Sequence, residues 1–369
     1  MQLVSILIPV KNEERYIEKC LTSVIHFQHP KKVRFEVLVL DGISTDKTPS
    51  ILKKYTKKYK KIKIFRNKLG IQSSAINLGL KRSKGEWILR LDAHARYPSD
   101  YLLRCIETAH RTKADNTGGI FITEAGGSGY QAHLVQALTT HKFGVGDSGF
   151  RTGAEEDWAD TVPYGFYRRK VFDEIGWLDE RLVRGQDYEF NRRLTASGGR
   201  IMRNPKIQVH YYNQASLRNF LEKQFFKEAP YNAYMWFVAP YSFTSRHAIT
   251  GFFAVGVLGG IVLGQIFPKA IGVPFFGVMA LYVTLAVLSS IQQAVRYKEI
   301  RHIFFLPFAF FLYHFIHGLG LLTGLLRLAT FTAPVQKINE PWPGAGFYRV
   351  PIRKGCLSKD RADKIMAHS

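Results

Sequence analysis

The chain has 369 residues, enough for one large domain or two smaller ones, and carries 52 Lys and Arg against 29 Asp and Glu, a formal charge of +23. Such a balance points to an anionic partner, either nucleic acid or an anionic membrane surface. The three cysteines, Cys20, Cys105 and Cys356, lack metal-site spacing, which excludes a cysteine-built metal centre and leaves free thiols as the default.

Met1 leads directly into a strand over Val4–Val10, so no signal peptide is expected. Asn12 is placed to cap a helix running to about Phe27. Phe35–Leu40 reads as a second strand ending at Asp41, and the loop Gly42–Thr48 leads into a Lys-rich helix. Ile62–Phe65 is a third strand. Ser73 or Ser74 caps a helix ending near Ser83, and the apolar run Trp87–Leu91 is a fourth strand. Strands alternating with helices through short loops predict a mostly parallel, Rossmann-like sheet with helices on both faces. Ligands of such sheets bind beyond the carboxyl ends of the strands, where Lys11, Asp41 and Asp92 are expected to converge. No Gly-x-Gly-x-x-Gly or P-loop string follows these strands, which argues against dinucleotide and P-loop chemistry.

Farther on, a helix is expected over Asp100–His110, a Gly-rich stretch over Gly118–Gly129, an acidic loop over Gly144–Asp160 and a strand over Val162–Arg169. A helix then begins near Gln186, with Asp187 and Glu189 in its first turn. Ser216 opens another to about Glu228, followed by an aromatic, interfacial segment, 231–248.

From Ile249 the text changes. Ile249–Phe267, Val273–Ile291 and Ile303–Leu326 are apolar and each long enough for a membrane span, for which roughly 20 residues suffice. Three such runs make buried core helices the weaker reading, and they decide the charge question in favour of the membrane rather than nucleic acid. Arg246 precedes the first run, Arg296, Lys298 and Arg301 separate the second from the third, and only Lys269 lies between the first two. The positive-inside rule therefore puts the N-terminal domain in the cytoplasm. The basic tail, 329–369, with Lys337, Arg349, Arg353 and Lys354, would lie outside after three crossings, so the third run is either a span or a re-entrant or interfacial segment permitted by Pro307, His314 and His317. The nine Lys and Arg of Lys53–Lys68 read equally as a solvated helix face or as a lipid-facing one.

Asp92 and His94, two apart at a strand end, project to one side and form a possible pair of metal ligands. Judged singly, Asp92 suits a turn cap, His94 a structural histidine, Asp41 and Asp46 turn formation, and Asp187 and Glu189 the start of a helix. Together with Ser5-Ile-Leu-Ile-Pro-Val-Lys-Asn-Glu-Glu, Leu40-Asp-Gly-Ile-Ser-Thr-Asp-Lys-Thr, Asp92-Ala-His94, Thr161-Val-Pro-Tyr-Gly-Phe-Tyr-Arg-Arg and Gly185-Gln-Asp187-Tyr-Glu, they resemble the family 2 glycosyltransferases of GT-A fold, most closely the succinoglycan-type membrane branch. The resemblance covers roughly residues 1–230, the expected catalytic domain, with residues 249–328 as the membrane region. Ile43 stands where the family usually has another small or acidic residue, and His94 replaces the second Asp of its Asp-x-Asp motif.

The resemblance implies a nucleotide-sugar donor, a UDP-sugar by family frequency, bound by Pro9, Val10, Glu13, Asp41 and Asp92. It implies a divalent metal held by Asp92 and His94, with the imidazole favouring Mn²⁺ over Mg²⁺. Asp187 is the implied general base that activates an acceptor hydroxyl, in a single inverting displacement. Asp160, Arg168, Arg169 and Gln224 are candidate acceptor contacts. Processive synthases follow the base with Gln-x-x-Arg-Trp; here Gln224-Phe-Phe-Lys-Glu has neither Arg nor Trp in place. The expectation is therefore transfer of one sugar to a lipid-linked acceptor, such as a polyprenyl-diphosphate glycan, by a multi-pass enzyme of the cell membrane. A polyprenyl-phosphate sugar synthase is the near alternative. A non-catalytic, membrane-anchored protein that binds nucleotide sugar or anionic lipid is the alternative from another class.

Overall fold

A computed structural model describes residues 2–153 and 155–336; the tail beyond, with Lys337, Arg349, Arg353, Lys354 and Cys356, lies outside the described residues. The described chain divides into two compact units, one of residues 2–122 and 153–211, the other of 123–152 and 212–336. The expected boundary at residue 230 is therefore displaced: residues 123–152 and 212–230 join the apolar helices.

The first unit opens with β1 (Gln2–Val10), α1 (Ile17–Ile25), β2 (Val33–Asp41), α2 (Thr48–Lys58), β3 (Ile62–Arg66), α3 (Gln72–Arg82) and β4 (Trp87–Arg90). These strands pair in the order β3-β2-β1-β4, all parallel, with Val10 opposite Asp41. Both faces of the central strands are apolar because helices cover both. Val4, Ile6 and Ile8 of β1 with Val37 and Val39 of β2 pack on the α1 side, whereas Leu7, Leu38 and Leu40 face Ala75, Ile76 and Leu80 of α3. That alternation follows from the two-residue period of a strand. At the outer edge, β3 reads Ile-Lys-Ile-Phe-Arg, with Lys63 and Arg66 exposed.

The chain continues through β5 (Ala95–Arg96), α4 (Tyr101–Thr112) and β6 (Asn116–Glu124). Helices α5 (Tyr130–Thr139), α6 (Lys142–Val145) and α7 (Gly149–Thr152) belong to the second unit. Back in the first are β7 (Asp157–Trp158), β8 (Phe166–Arg168), α8 (Arg169–Ile175), α9 (Gln186–Ala196) and β9 (Ile201–Tyr212). The sheet extends β4-β8-β6-β9-β5, and β8 pairs antiparallel with β4 and β6, as β5 and β7 do with β9. The parallel expectation thus holds for one half of a mixed sheet. Two details differ locally. Asn12 is not a helix cap but sits at φ 56°, and α1 begins at Ile17. Gly118 and Gly119 lie inside β6, where a Cβ on Gly119 would meet the Ile207 carbonyl oxygen at 1.6 Å.

In the second unit Ser216 caps α10 (Leu217–Lys223), as expected, by accepting from the Asn219 amide. A π-helical turn, Gln224–Glu228, separates it from α11 (Ala229–Val238). Among the described residues, three helices are long and apolar enough to cross a membrane: α12 (Ser245–Ile266), α13 (Val273–Tyr297, entered through a π-turn at Pro268–Gly272) and α14 (His302–Ala329). The last has 28 residues and runs unbroken through Pro307, so it is about 42 Å long against a hydrocarbon layer of roughly 30 Å. Small residues bring helices close to α14: Gly318 lies against the Thr250 carbonyl of α12 and Gly324 against Pro230 of α11. Two polar pairs cross the bundle, Thr250 Oγ1 with His317 Nδ1 at 2.8 Å and Tyr282 Oη with His314 Nδ1 at 2.8 Å.

Candidate active site

The site lies at the carboxyl ends of the parallel strands, all of it within the first unit. The loops after β1 and β2 are laced together. The Asn12 amide donates to Ser44 Oγ at 2.9 Å, and the Thr45 amide donates to Asn12 Oδ1 at 2.8 Å. The Glu13 amide donates to Thr48 Oγ1 at 2.9 Å, and Glu14 exchanges bonds with the Asp46–Lys47 turn. Asp41 ends β2 and accepts from the Ser44 amide at 3.1 Å and from Ser44 Oγ at 2.6 Å, both on Oδ1. It therefore does shape the turn; Oδ2 carries neither bond. Pro9 and Val10 form the last two positions of β1, directly opposite Leu40 and Asp41. Ile43, in the same loop, is held at φ 62°, a left-handed conformation unfavourable for a β-branched residue.

The centre of the site is Arg90, the last residue of β4. Its Nη2 lies 3.2 Å from Asp92 Oδ1 and its Nη1 3.0 Å from Asp187 Oδ2. The Arg90 side chain is 7% exposed, Asp92 14% and Asp187 38%. The guanidinium also lies 5.6 Å from the centre of the Tyr164 ring, and Tyr164 has the strained φ of 49°. The neighbouring carboxylates hold Arg90 charged against its burial. One cation thus ties the end of β4 to the first turn of α9.

Asp92 accepts a second bond on the same oxygen, from Gln72 Nε2 at 2.7 Å, and Gln72 Oε1 in turn accepts from buried Gln186 Nε2 at 2.5 Å. Both contacts fall on Oδ1, which leaves Oδ2 for a ligand. The Asp92 peptide is clamped by buried Tyr97, whose hydroxyl accepts from the Asp92 amide at 2.8 Å and donates to its carbonyl at 3.0 Å. Burial pushes the Tyr97 phenol well above its ordinary value, so it stays neutral and keeps both bonds. Asp187 follows Gly185, the N-cap at φ 73°, and Gln186; its Oδ1 accepts from the Tyr188 amide at 2.9 Å. Its position in the first helical turn sets its charge against the positive end of the helix dipole.

His94 Nδ1 lies 3.3 Å from Glu13 Oε1, so these two predicted residues are brought together. Among the described residues, no group of three or more His, Cys, Asp or Glu side chains is arranged to hold a metal by itself. His94 and Glu13 bring one nitrogen and one oxygen donor together, types that a cation shares with substrate phosphates.

The predicted acceptor residues separate. Asp160 stays beside the site's helix, its Oδ2 accepting from Tyr188 Oη at 3.3 Å. Arg168 and Arg169 do not join the site. Arg168 pairs with Trp87, at the opposite end of β4 from Asp92, and donates to the Ala114 carbonyl at 3.2 Å. Five residues along an extended chain is roughly 17 Å. Arg169 uses its guanidinium on the Gly85 carbonyl at 2.5 Å and Ser83 Oγ at 2.5 Å, fastening the end of α3. Gln224 belongs to the second unit, where it opens the π-turn. Glu189 is buried against Arg193, with Nη2 and Oε2 2.7 Å apart, and is structural. Sequence reasoning gave no role to Arg90, Gln72, Gln186 or Tyr97. A signal for Arg90 was present: a cation on a buried strand, two positions before Asp92 and so on the same face.

Comparison with known proteins agrees with this geometry. The family model described as Glycosyl transferase family 2 matches residues 5–176. A dolichyl N-acetyl-alpha-D-glucosaminyl phosphate 3-beta-D-2,3-diacetamido-2,3-dideoxy-beta-D-glucuronosyltransferase from Methanococcus voltae is 30% identical over 345 residues, covering 89% of this chain and 98% of the relative. The succinoglycan biosynthesis protein ExoA from Rhizobium meliloti (strain 1021) is 32% identical over 58% of this chain and 64% of its own length. Among solved structures, the mannosyltransferase PcManGT from Pyrobaculum calidifontis, in complex with GDP-Man and Mn²⁺, shares the fold at TM-score 0.53 and 16% identity, over 85% of this chain and 86% of that one.

Proposed function

The chain belongs to glycosyl transferase family 2, and we propose that within it the protein moves one sugar, with inversion, from a nucleotide-sugar donor to a lipid-linked glycan in the membrane. The observation that supports this reading best is the Asp92–Arg90–Asp187 bridge. It sets the carboxylate expected at the donor diphosphate and the carboxylate expected at the acceptor hydroxyl on two arms of one buried guanidinium. Proximity of that kind is what a direct displacement requires.

In this reading the β1 and β2 loops hold the nucleoside, with Pro9 and Val10 below it, Glu13 at the rim and Asp41 Oδ2 accepting from base or ribose. Asp92 and His94 would hold a divalent cation, for which the imidazole would favour Mn²⁺ over Mg²⁺. Such a cation would offset the charge that grows on the departing diphosphate. Asp187 takes the proton from the acceptor hydroxyl as that oxygen attacks the anomeric carbon, and its anchorage to Arg90 and to the Tyr188 amide fixes the direction of approach. Asp160, next to Tyr188, is placed for an acceptor hydroxyl. The full-length relative, named for a dolichyl-phosphate-linked sugar acceptor and a β-linked product, supports a lipid-linked acceptor here. Three long apolar helices, with Arg246, Arg296, Lys298 and Arg301 at their ends, support a multi-pass membrane protein whose catalytic unit faces the cytoplasm.

The test is nucleotide release and product analysis with purified protein, Mn²⁺ and a panel of nucleotide sugars, comparing wild type with Asp187→Asn. Loss of the base should lower turnover about 10²–10⁴-fold. A sugar joined directly to polyprenyl phosphate would replace this reading with a polyprenyl-phosphate sugar synthase. Equal, background-level release by both proteins across the panel would favour a binding protein without catalysis.

A further inference from the structure

Within the second unit, a groove of about 780 Å³ runs beside α14. That volume falls in the range of ligand sites, roughly 300–1,000 Å³. Its walls are Tyr130 and Leu134 of α5, Leu221 of α10, Phe225 and Phe226 of the π-turn, and α14 from Phe305 to Leu319. The fifteen helical residues from Phe305 to Leu319 span about 21 Å. The π-turn is needed to build the wall: Gly320 allows it to seat on α14, where a Cβ would come 2.8 Å from the Phe225 carbonyl oxygen. That irregular turn leaves Phe226 63% exposed, and Phe305 across the groove is 54% exposed. π-Turns inside helices occur frequently at functional sites.

We infer that this groove seats the isoprenoid chain of a polyprenyl phosphate or diphosphate, the lipid carrier of the acceptor. The inference rests on the lipid-linked acceptor proposed above. Two features select this occupant. The groove borders α14, an apolar helix long enough to span a membrane, on which Phe304 and Phe308 are also exposed, so a hydrocarbon chain meets apolar surface on its way in. Its α10 wall carries Arg218, exposed and paired with Glu222 at 2.8 Å; Lys223, which follows, is engaged by Glu228 at 3.4 Å. Arg218 complements a phosphate head group and can exchange Glu222 for it. Four aromatic rings, of Tyr130, Phe225, Phe226 and Phe305, line it. Gln224, named from sequence as an acceptor contact, opens the same π-turn but does not line the groove.

The test needs no turnover. Full-length protein in phosphatidylcholine nanodiscs is irradiated with a polyprenyl diphosphate bearing a diazirine on an isoprene unit, and adducts are mapped by mass spectrometry. Adducts on Phe226, Phe305, Ile316 or Leu319, suppressed at least fivefold by unlabelled polyprenyl diphosphate and not by equimolar phosphatidylglycerol, are expected. Adducts elsewhere, or equal suppression by phosphatidylglycerol, would overturn the inference. A filled groove, Ile316→Trp, should lose the labelling, with Ile316→Val retaining it as the folding control. Labelling in the groove without glycosyl transfer would leave the site standing and remove the proposed reaction; transfer with no chain-length preference and no groove labelling would do the reverse.

Discussion

Replacing Arg90 with Met removes the cation that joins Asp92 to Asp187 while keeping the volume of its stem. Asp92 is nearly as buried as Arg90, so its carboxylate loses its buried partner and keeps only Gln72 on Oδ1. Breaking a buried pair in this way costs about 3–5 kcal/mol. Asp187 is more than one-third exposed, and solvent reduces its share to about 0–1 kcal/mol. At about 2–4 °C per kcal/mol for a unit of this size, the midpoint of thermal unfolding should fall by roughly 10 °C. The kinetic effect has a different origin. Without Nη1, Asp187 keeps only the Tyr188 amide, and a displacement of about 1 Å at the attacking site costs about 10²-fold in rate. We expect kcat to fall by that factor at a temperature well below the transition. Arg90→Lys should recover part of the stability and little of kcat, because one ammonium cannot span both carboxylates. The assay is nucleotide release at saturating donor, with a calorimetric scan of the same preparations. Wild-type kcat in a folded Arg90→Met protein would refute the bridging role.

Three further outcomes follow from neighbouring residues. His94→Ala should raise the Mn²⁺ concentration for half-maximal turnover by at least about tenfold, read by metal titration after chelation; full wild-type activity in excess chelator would remove the cation from the reaction. Ile43→Asn should raise the unfolding midpoint, since it relieves a left-handed β-branched residue worth about 1–2 kcal/mol with little packing lost at a 39% exposed position. Burial opposes ionisation of Glu36, but bonds from the Lys84 amide at 2.9 Å, Ser5 Oγ at 2.8 Å and Lys63 Nζ at 3.1 Å outweigh it and hold the carboxyl below its ordinary value. A depressed carboxyl stabilises the fold at neutral pH and loses that contribution as pH falls through the lowered value. The gap in unfolding midpoint between wild type and Glu36→Gln should therefore close on acidification below the ordinary glutamate range; a gap constant with pH would contradict this assignment.

The parallel half of the sheet was legible because its strands are short apolar runs punctuated by polar loops, and Asp41, Asp92 and Asp187 were legible because each follows such a run or opens a helix. Of the antiparallel half only β8, inside the strand expected over Val162–Arg169, was legible. Gly118 and Gly119 disguise β6, and Asn204-Pro205-Lys206 interrupts the apolar pattern of β9, where proline reads as a break. Arg168 and Arg169 were expected at the acceptor because sequence does not show that a guanidinium can find backbone carbonyls instead. Arg90 was hidden for the opposite reason: a buried cation is recognised by its two partners, and Asp187 lies 97 positions away. The boundary at residue 230 failed because α5 and α10, short and amphipathic, carry no mark of the apolar helices they pack on.

The charged rim of β3 bears on how two copies of the chain meet. An unpaired strand edge is a template for another chain. Between Asp46 and Glu86 the sequence contains no acidic residue, so two copies approaching rim to rim oppose Lys60 and Arg66 with the same cations, while Lys63 is engaged by Glu36. That repulsion opposes edge-to-edge pairing and weakens as ionic strength rises.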